Sequence, residues 1–331
     1  MDDTLVPLLL PLVAWPVSRF VAPRLPPRTA SWILTGSSLV LAAGSTVALL
    51  LLAFAGLSLV PAVADLGHWS PETLRSLRAV NVPASIGSGV VLVALSILVT
   101  RTAFRYLRWA RRLSRELDEH GRHGVVILPG DEPLAFSAPG RGGRIAISSG
   151  MLRTLDAEER RALLAHERAH LALRHHLFLI ALTLSSALNP LLGPLRTAAG
   201  FALERWADEV AARGVGDRTV VARAVAKAAL AARPHHGFAL AATGGPVPRR
   251  VSALLTKPRR TSRNPVALLG SALVLGIAAW SAQAAADGAT DLHDGIEIAQ
   301  AATPGQPATA VGTHHDHRRA AHPRQPTAGV R

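Results

Sequence analysis

The chain contains no cysteine. That excludes disulfides, thiolate zinc sites and a cysteine nucleophile, and leaves His, Asp and Glu as the strong metal ligands. Lysine is nearly missing as well, since all of the 36 basic residues except Lys227 and Lys257 are arginine. Acids are scarce at 22, so the formal net charge is +14. With so uniform an arginine bias, charge by itself does not mark a nucleic-acid binder. What the 331 residues have in excess is aliphatic character: 49% are hydrophobic and the mean hydropathy is +0.26. An ordinary soluble domain of this length needs less, which places part of the chain in lipid.

Three stretches without a charged residue are long enough to cross a bilayer: the run between Arg28 and Asp65, Ala79 to Thr100, and Asn264 to Ala286. A helix needs about 20 residues for the crossing. A shorter run, Leu5 to Phe20, carries three prolines and reads as a further span with snorkelling ends. Asp2 and Asp3 precede it where a cleaved signal peptide would carry positive charge, so it is expected to stay in the membrane. The expected spans are therefore 5–21, 33–60, 80–100 and 264–286. Arginines flank them at Arg19, Arg24 and Arg28, from Arg101 to Arg115, and from Arg259 to Arg263. Basic loops stay on the cytoplasmic side, so both termini are expected outside and residues 101–263 form a cytoplasmic domain of a multi-pass cell-membrane protein. Residues 177–195 are apolar but interrupted by Asn189, Pro190, Gly193 and Pro194. They read as a helical hairpin, either buried in that domain or dipping into the inner leaflet.

The chemistry gathers on two helices. Leu155 to His176 is expected to be helical, with Asp156 as N-cap and Glu159 completing a capping box. It contains His166-Glu167-Arg168-Ala169-His170, an H-E-x-x-H pattern. Residues four apart share a helix face, so both imidazoles can reach one metal ion while Glu167 acts on a water bound to it. A catalytic zinc site needs a third ligand and an open position. Phe201 to Arg213, the next expected helix, offers Glu204 as that ligand, with Asp208 one turn on to accept from the far nitrogen of a ligand imidazole. The bend at Asn189-Pro190 returns the chain towards the first helix.

These residues, with the preceding Arg144-Ile145-Ala146-Ile147-Ser148 strand and Gly150-Met151-Leu152, resemble the membrane-embedded zinc metallopeptidases. The likeness is to the antirepressor-type peptidases of the BlaR and MecR receptors, and more distantly to the HtpX and CAAX-protease group, and covers the chain to about Leu255. It implies Zn2+ held by His166, His170 and Glu204, Glu167 as general base and Asp208 as the acid behind a ligand. Arg250-Val251-Ser252-Ala253-Leu254 resembles the segment that closes such domains. The receptors carry a penicillin-binding sensor domain after the last span, where this sequence has a tail.

That tail, 287–331, is rich in Ala, Pro, Thr and His and is expected to be disordered. The arginines of 101–115 are expected to lie on anionic lipid, without direct nucleic-acid binding. His175 and His236, like His176 and His235, are candidates to stabilise an oxyanion, and Arg250 to touch substrate. The fold expected is a mainly α membrane protein with about four transmembrane helices and a zincin-like cytoplasmic domain containing a small β region. Strand 144–148 is expected to offer its edge to an extended substrate. The function expected is zinc-dependent endopeptidase action on a cytoplasmic or membrane protein in signalling, with a transcriptional repressor among the candidate substrates. A quality-control peptidase, or a catalytically silent receptor or scaffold, are the alternatives.

Overall fold

The structure is a computed structural model that describes residues 5–76, 80–118, 124–140, 142–231, 247–256 and 265–302. Helix α1 (Val6–Val21) contains Pro11 and Pro16 and leads through a 3-10 turn at Ala22–Arg24 into α2 (Pro27–Leu57). Two short helices, α3 (Pro61–Gly67) and α4 (Pro71–Ser76), link α2 to α5 (Val82–Asp118). Among the described residues, four helical stretches, Val6–Arg24, Pro27–Leu57, Val82–Asp118 and Leu268–Ala301, are long and apolar enough to cross a membrane, and the bent pair Ala157–Ala172 and His175–Leu188 makes a fifth if it is taken as one span; about four were expected. At 37 residues, α5 is a single rod of about 55 Å, so the apolar run and the arginine-rich segment after it share one axis.

Three strands follow: β1 (Gly124–Leu128), β2 (Ala135–Ala138) and β3 (Arg144–Ser148). Their order is β1-β3-β2, with β1 parallel and β2 antiparallel to β3. This corrects one expectation. Both edges of β3 are paired and every residue of it is buried, so it has none to offer; β1 and β2 are the outer strands among the described residues. Apolar residues on both faces of the central strand explain the difference, since Ala146 packs with Val126 and Phe136 while Ile145 and Ile147 pack with Met151 and Leu155.

Ser148 closes the sheet onto α6 (Ser149–Thr154): its hydroxyl accepts from Met151 N at 3.1 Å and donates to Glu132 O at 2.6 Å. Gly150 is required at this joint, because a Cβ there would stand 2.1 Å from Asp131 O. Helix α7 (Ala157–Ala172) opens with the expected capping box, Asp156 Oδ1 accepting from Glu159 N and Glu159 Oε2 accepting from Asp156 N. The buried Glu159 carboxylate also accepts from Lys227 Nζ at 2.7 Å, pinning the start of α7 to α10 (Arg218–Ala231).

The expected single helix to His176 is broken. Arg174 takes a left-handed conformation (φ 53°) and α8 (His175–Leu188) leaves at 63° to α7. Asn189 then caps a 3-10 turn (Pro190–Leu192), and α9 (Gly193–Val215) returns. The tip of this hairpin packs among the long apolar helices: Leu192 and Leu195 meet Leu10 and Ala14 of α1, Leu41 and Ala42 of α2, and Ile277. A polar joint sits there. Asn189 Nδ2 donates to Ser45 Oγ at 2.9 Å, and the Ser45 hydroxyl lies 2.8 Å from both Pro7 O and Leu41 O. Pro11 lacks the N–H that would otherwise bond Pro7 O, so the serine satisfies a carbonyl that α1 leaves open.

Helix α11 (Val247–Leu255) is fastened by Arg218, which donates to Leu254 O and Ala253 O as well as to the Glu209 carboxylate of α9. The last helix, α12 (Pro265–Ala301), runs 15 residues past the expected limit of 286. Ala299 there packs on Leu59 and Leu74, and Gln300 Nε2 donates to Gly67 O. An alanine-rich sequence and helix pairs such as His293–Glu297 carry the helix on. The rest of the expected tail, 303–331, lies outside the described residues.

Candidate metal centre

His166 and His170 stand one turn apart on α7, with their Nε2 atoms 3.1 Å apart. Glu204 reaches them from α9: Oε2 lies 3.5 Å from His166 Nε2 and Oε1 lies 3.5 Å from His170 Nε2. The three residues are buried and form the one such group among the described residues. Nitrogen and oxygen ligands about 2.0–2.1 Å from a tetrahedral ion stand about 3.3 Å from each other. The shortest separations lie close to that value, the two from Glu204 running to different carboxylate oxygens, and with one atom taken from each residue the three donors lie within 4.8 Å of one another, a spacing compatible with one ion.

The residues around them complete the arrangement. His166 Nδ1 lies 3.0 Å from Asp208 Oδ1. Arg250, from α11, holds Asp208 with Nε and Nη2 at 2.8 and 2.7 Å and reaches Glu204 Oε2 with Nη1 at 2.9 Å. Glu167, next to His166, is buried with its carboxyl beside the hydroxyl of Ser137 on β2. Three buried carboxylates, Glu167, Glu204 and Asp208, thus face one guanidinium, leaving two negative charges when the imidazoles are neutral. Burying unbalanced charge is costly. A divalent cation removes the imbalance.

Proton affinities respond to that imbalance. Burial alone would lower the affinity of His166, but Asp208 and Glu204 outweigh it and push its pKa up to about 10. Burial holds His170 down to about 3 despite Glu204, so it is neutral and ready to ligate. Burial also raises the Glu167 carboxyl above the usual range. Glu204 and Asp208 stay below it, because Arg250 and the histidines overcome the effect of burial.

The remaining site expectations fare differently. His175 is buried behind His170, its Nδ1 3.0 Å from His170 Nδ1, on the side of that ring away from the other donors. Its Nδ1 is thus engaged with His170, and its ring lies against Phe178 and Trp206. Arg250 is engaged by Asp208 and Glu204 and so orients carboxylates, a role its distance in sequence did not reveal. His235 and His236 lie outside the described residues. Ser137 went unnoticed, and a serine in a four-residue strand carries no signal that would single it out.

Comparison with protein families matches residues 105–202 to Peptidase family M48. Neither curated proteins nor solved structures gave a match. The matched segment contains His166, Glu167 and His170 and stops two residues before Glu204. Over this segment the chain is similar to a family of metal-dependent peptidases, and the buried His166, His170 and Glu204 donors are compatible with that likeness.

Proposed function

We propose that the protein is a membrane-bound zinc endopeptidase that cleaves a cytoplasmic or membrane protein. The observation that carries this reading is the convergence of His166, His170 and Glu204 at ion-binding distances, with the Glu167 carboxyl on the adjacent helix position. A bound zinc ion would supply Lewis acidity, bringing the pKa of a water to about 7 and polarising a peptide carbonyl. Glu167 supplies the proton acceptor. Burial raises its proton affinity, the direction that favours taking a proton from water and returning it to a leaving amine. Asp208 orients the His166 ring, and Arg250 fixes both Asp208 and Glu204, so that the donor set is held by three helices. This is a zincin-like arrangement.

Arginine placement supports a cytoplasmic peptidase domain, because the flanks at Arg24–Arg28 and Arg101–Arg115 lie at the ends of spans that open onto it. The BlaR and MecR likeness favours regulated proteolysis in signalling, with a transcriptional repressor as a candidate substrate. The test compares parent and Glu167→Gln for cleavage of unfolded casein in detergent, with zinc content measured alongside. The variant should keep its zinc and lose turnover by about 100 to 10,000-fold, the usual weight of general acid-base catalysis. Equal turnover in the two proteins would remove Glu167 from the chemistry and the endopeptidase reading with it.

A further inference from the structure

The two histidines of the cluster are supported in different ways. Each points Nε2 at the shared centre, and an imidazole that offers the Nε2 lone pair keeps its proton on Nδ1. That buried N–H needs an acceptor. For His166 the group in place is the Asp208 carboxylate, its Oδ1 3.0 Å from Nδ1. For His170 the atom in place is Nδ1 of His175, 3.0 Å away. We infer that His175 is the positioning residue of His170: its Nδ1 accepts from His170 Nδ1–H, fixing the ring and the tautomer that leave Nε2 free for the metal. This rests on the metal-site reading given above.

Two features show that the imidazole is there for its nitrogen and not as filling. The first is the position itself. Five residues on from His170, an uninterrupted α-helix would turn His175 about 140° away around the axis. The chain instead breaks at the left-handed Arg174, a conformation that disfavours a non-glycine residue, and the 63° change of direction brings the ring beneath His170. The second is the cost on the other side of the ring. Accepting at Nδ1 obliges His175 to carry its proton on Nε2, and Nε2 is buried with no hydrogen-bond partner among the described residues. Its surroundings are aromatic, with Trp206 at 5.1 Å and Phe178 at 6.3 Å between ring centroids. A phenylalanine would fill that slot without stranding an N–H. The local backbone and the stranded group both work against stability, and both are explained if His170 requires an acceptor behind it.

The neutral acceptor also sets His170 apart from His166. A carboxylate behind an imidazole strengthens it as a donor, whereas a neutral ring orients without adding charge. With Arg250 the only buried guanidinium that faces the three carboxylates among the described residues, a fourth carboxylate would worsen the imbalance; an imidazole does not.

The test measures zinc dissociation constants by chelator competition for the purified full-length parent, His175→Phe, His175→Asn and His175→Gln. It adds the visible spectrum of each protein loaded with cobalt(II) and the thermal stability of each metal-free protein. The phenylalanine variant should bind zinc about 10 to 100-fold more weakly, as loss of a partner behind a ligand does, while its metal-free form is at least as stable as the parent. Asparagine places an amide oxygen near the Nδ1 position and should restore most of the affinity and the parental cobalt spectrum. Glutamine extends its amide towards the Nε2 side and should not. Zinc binding by His175→Phe within about twofold of the parent would overturn the role of His175 alone. A parent that takes up no zinc would overturn the metal-site reading, and this one as its consequence.

Discussion

Proton release on metal binding follows from the charge arrangement and can be worked out before any measurement. Without a cation, Asp208 and Glu204 hold a proton on His166, whose pKa is pushed up to about 10. His170 stays neutral down to about 3, and Glu204 is ionised throughout. A metal must therefore displace one proton, from His166, over the whole neutral range. While the solution is more acidic than that pKa, the apparent affinity rises about tenfold per pH unit. Between about pH 6 and pH 9 the gain is then about 1,000-fold. A histidine of ordinary pKa, about 6.5, would be almost fully deprotonated by pH 8 and would give a total gain of about fourfold.

The assay is competition against a chelator of known pH dependence. Glu167→Gln, measured alongside, removes any contribution from that raised carboxyl. Asp208→Asn is the decisive control. It deletes the carboxylate that holds the His166 proton, so its affinity curve should flatten at the alkaline end. A parental curve that levels off above about pH 7 would refute the reasoning, because the buried charges could not then be loading a proton onto His166.

For the metal-free protein, the raised His166 stabilises the fold below its unfolded pKa and loses that contribution as pH rises through about 10, whereas the depressed His170 withdraws stability as pH falls below about 6.5. Thermal unfolding of chelated protein in detergent should peak near that crossover, and a melting temperature that climbs steadily to alkaline pH would contradict the pair of shifts. Because the chain lacks cysteine, single introduced cysteines report sidedness cleanly. An impermeant maleimide should label Glu72→Cys in intact cells, and Arg112→Cys and Arg213→Cys only after permeabilisation. Labelling of Arg213→Cys in intact cells would place the end of α9 outside and disprove the proposed orientation. Ser45→Ala and Asn189→Ala should each destabilise the folded protein by about 0.6–2 kcal/mol, with a double variant less affected than the sum because the two share one hydrogen bond; full additivity in thermal unfolding would exclude a coupled joint.

Local spacing is what a sequence displays, and the parts of the site that depend on it are the parts that can be read. His166 and His170 share a face of α7 for the same reason that Glu204 and Asp208 share one of α9, and the capping box at Asp156 is a matter of three residues. The hairpin is marked by Asn189-Pro190, since a proline there ends α8. By contrast, the break at Leu173–Arg174 carries no glycine or proline. What α8 meets once turned is distant in sequence: Phe178 and Leu182 enter a cluster with Leu34 of α2 and Trp206 of α9, and His175 comes to rest beneath His170. The same tertiary demand decides the sheet, where β3 is taken into the centre by apolar residues on both faces, and the last helix, which continues to Ala301 because a docking surface awaits Ala299.

Arg250 shows where the two kinds of information meet. It lies 42 residues from Asp208, and no periodicity relates the two. Yet the requirement for such a residue is implicit in what can be read: H-E-x-x-H with an acidic helix places three carboxylates in one buried volume. One divalent ion balances two of those charges and leaves a third. A cation must come from elsewhere in the chain, and a guanidinium, with several donors in one plane, can hold two carboxylates at once where an ammonium acts as a point charge. In a chain whose basic residues are nearly all arginine, the type was predictable and the position was not, because the position depends on Arg218 anchoring α11 through Ala253 and Leu254. The donor set is therefore local in origin, while its charge balance is a property of the whole domain.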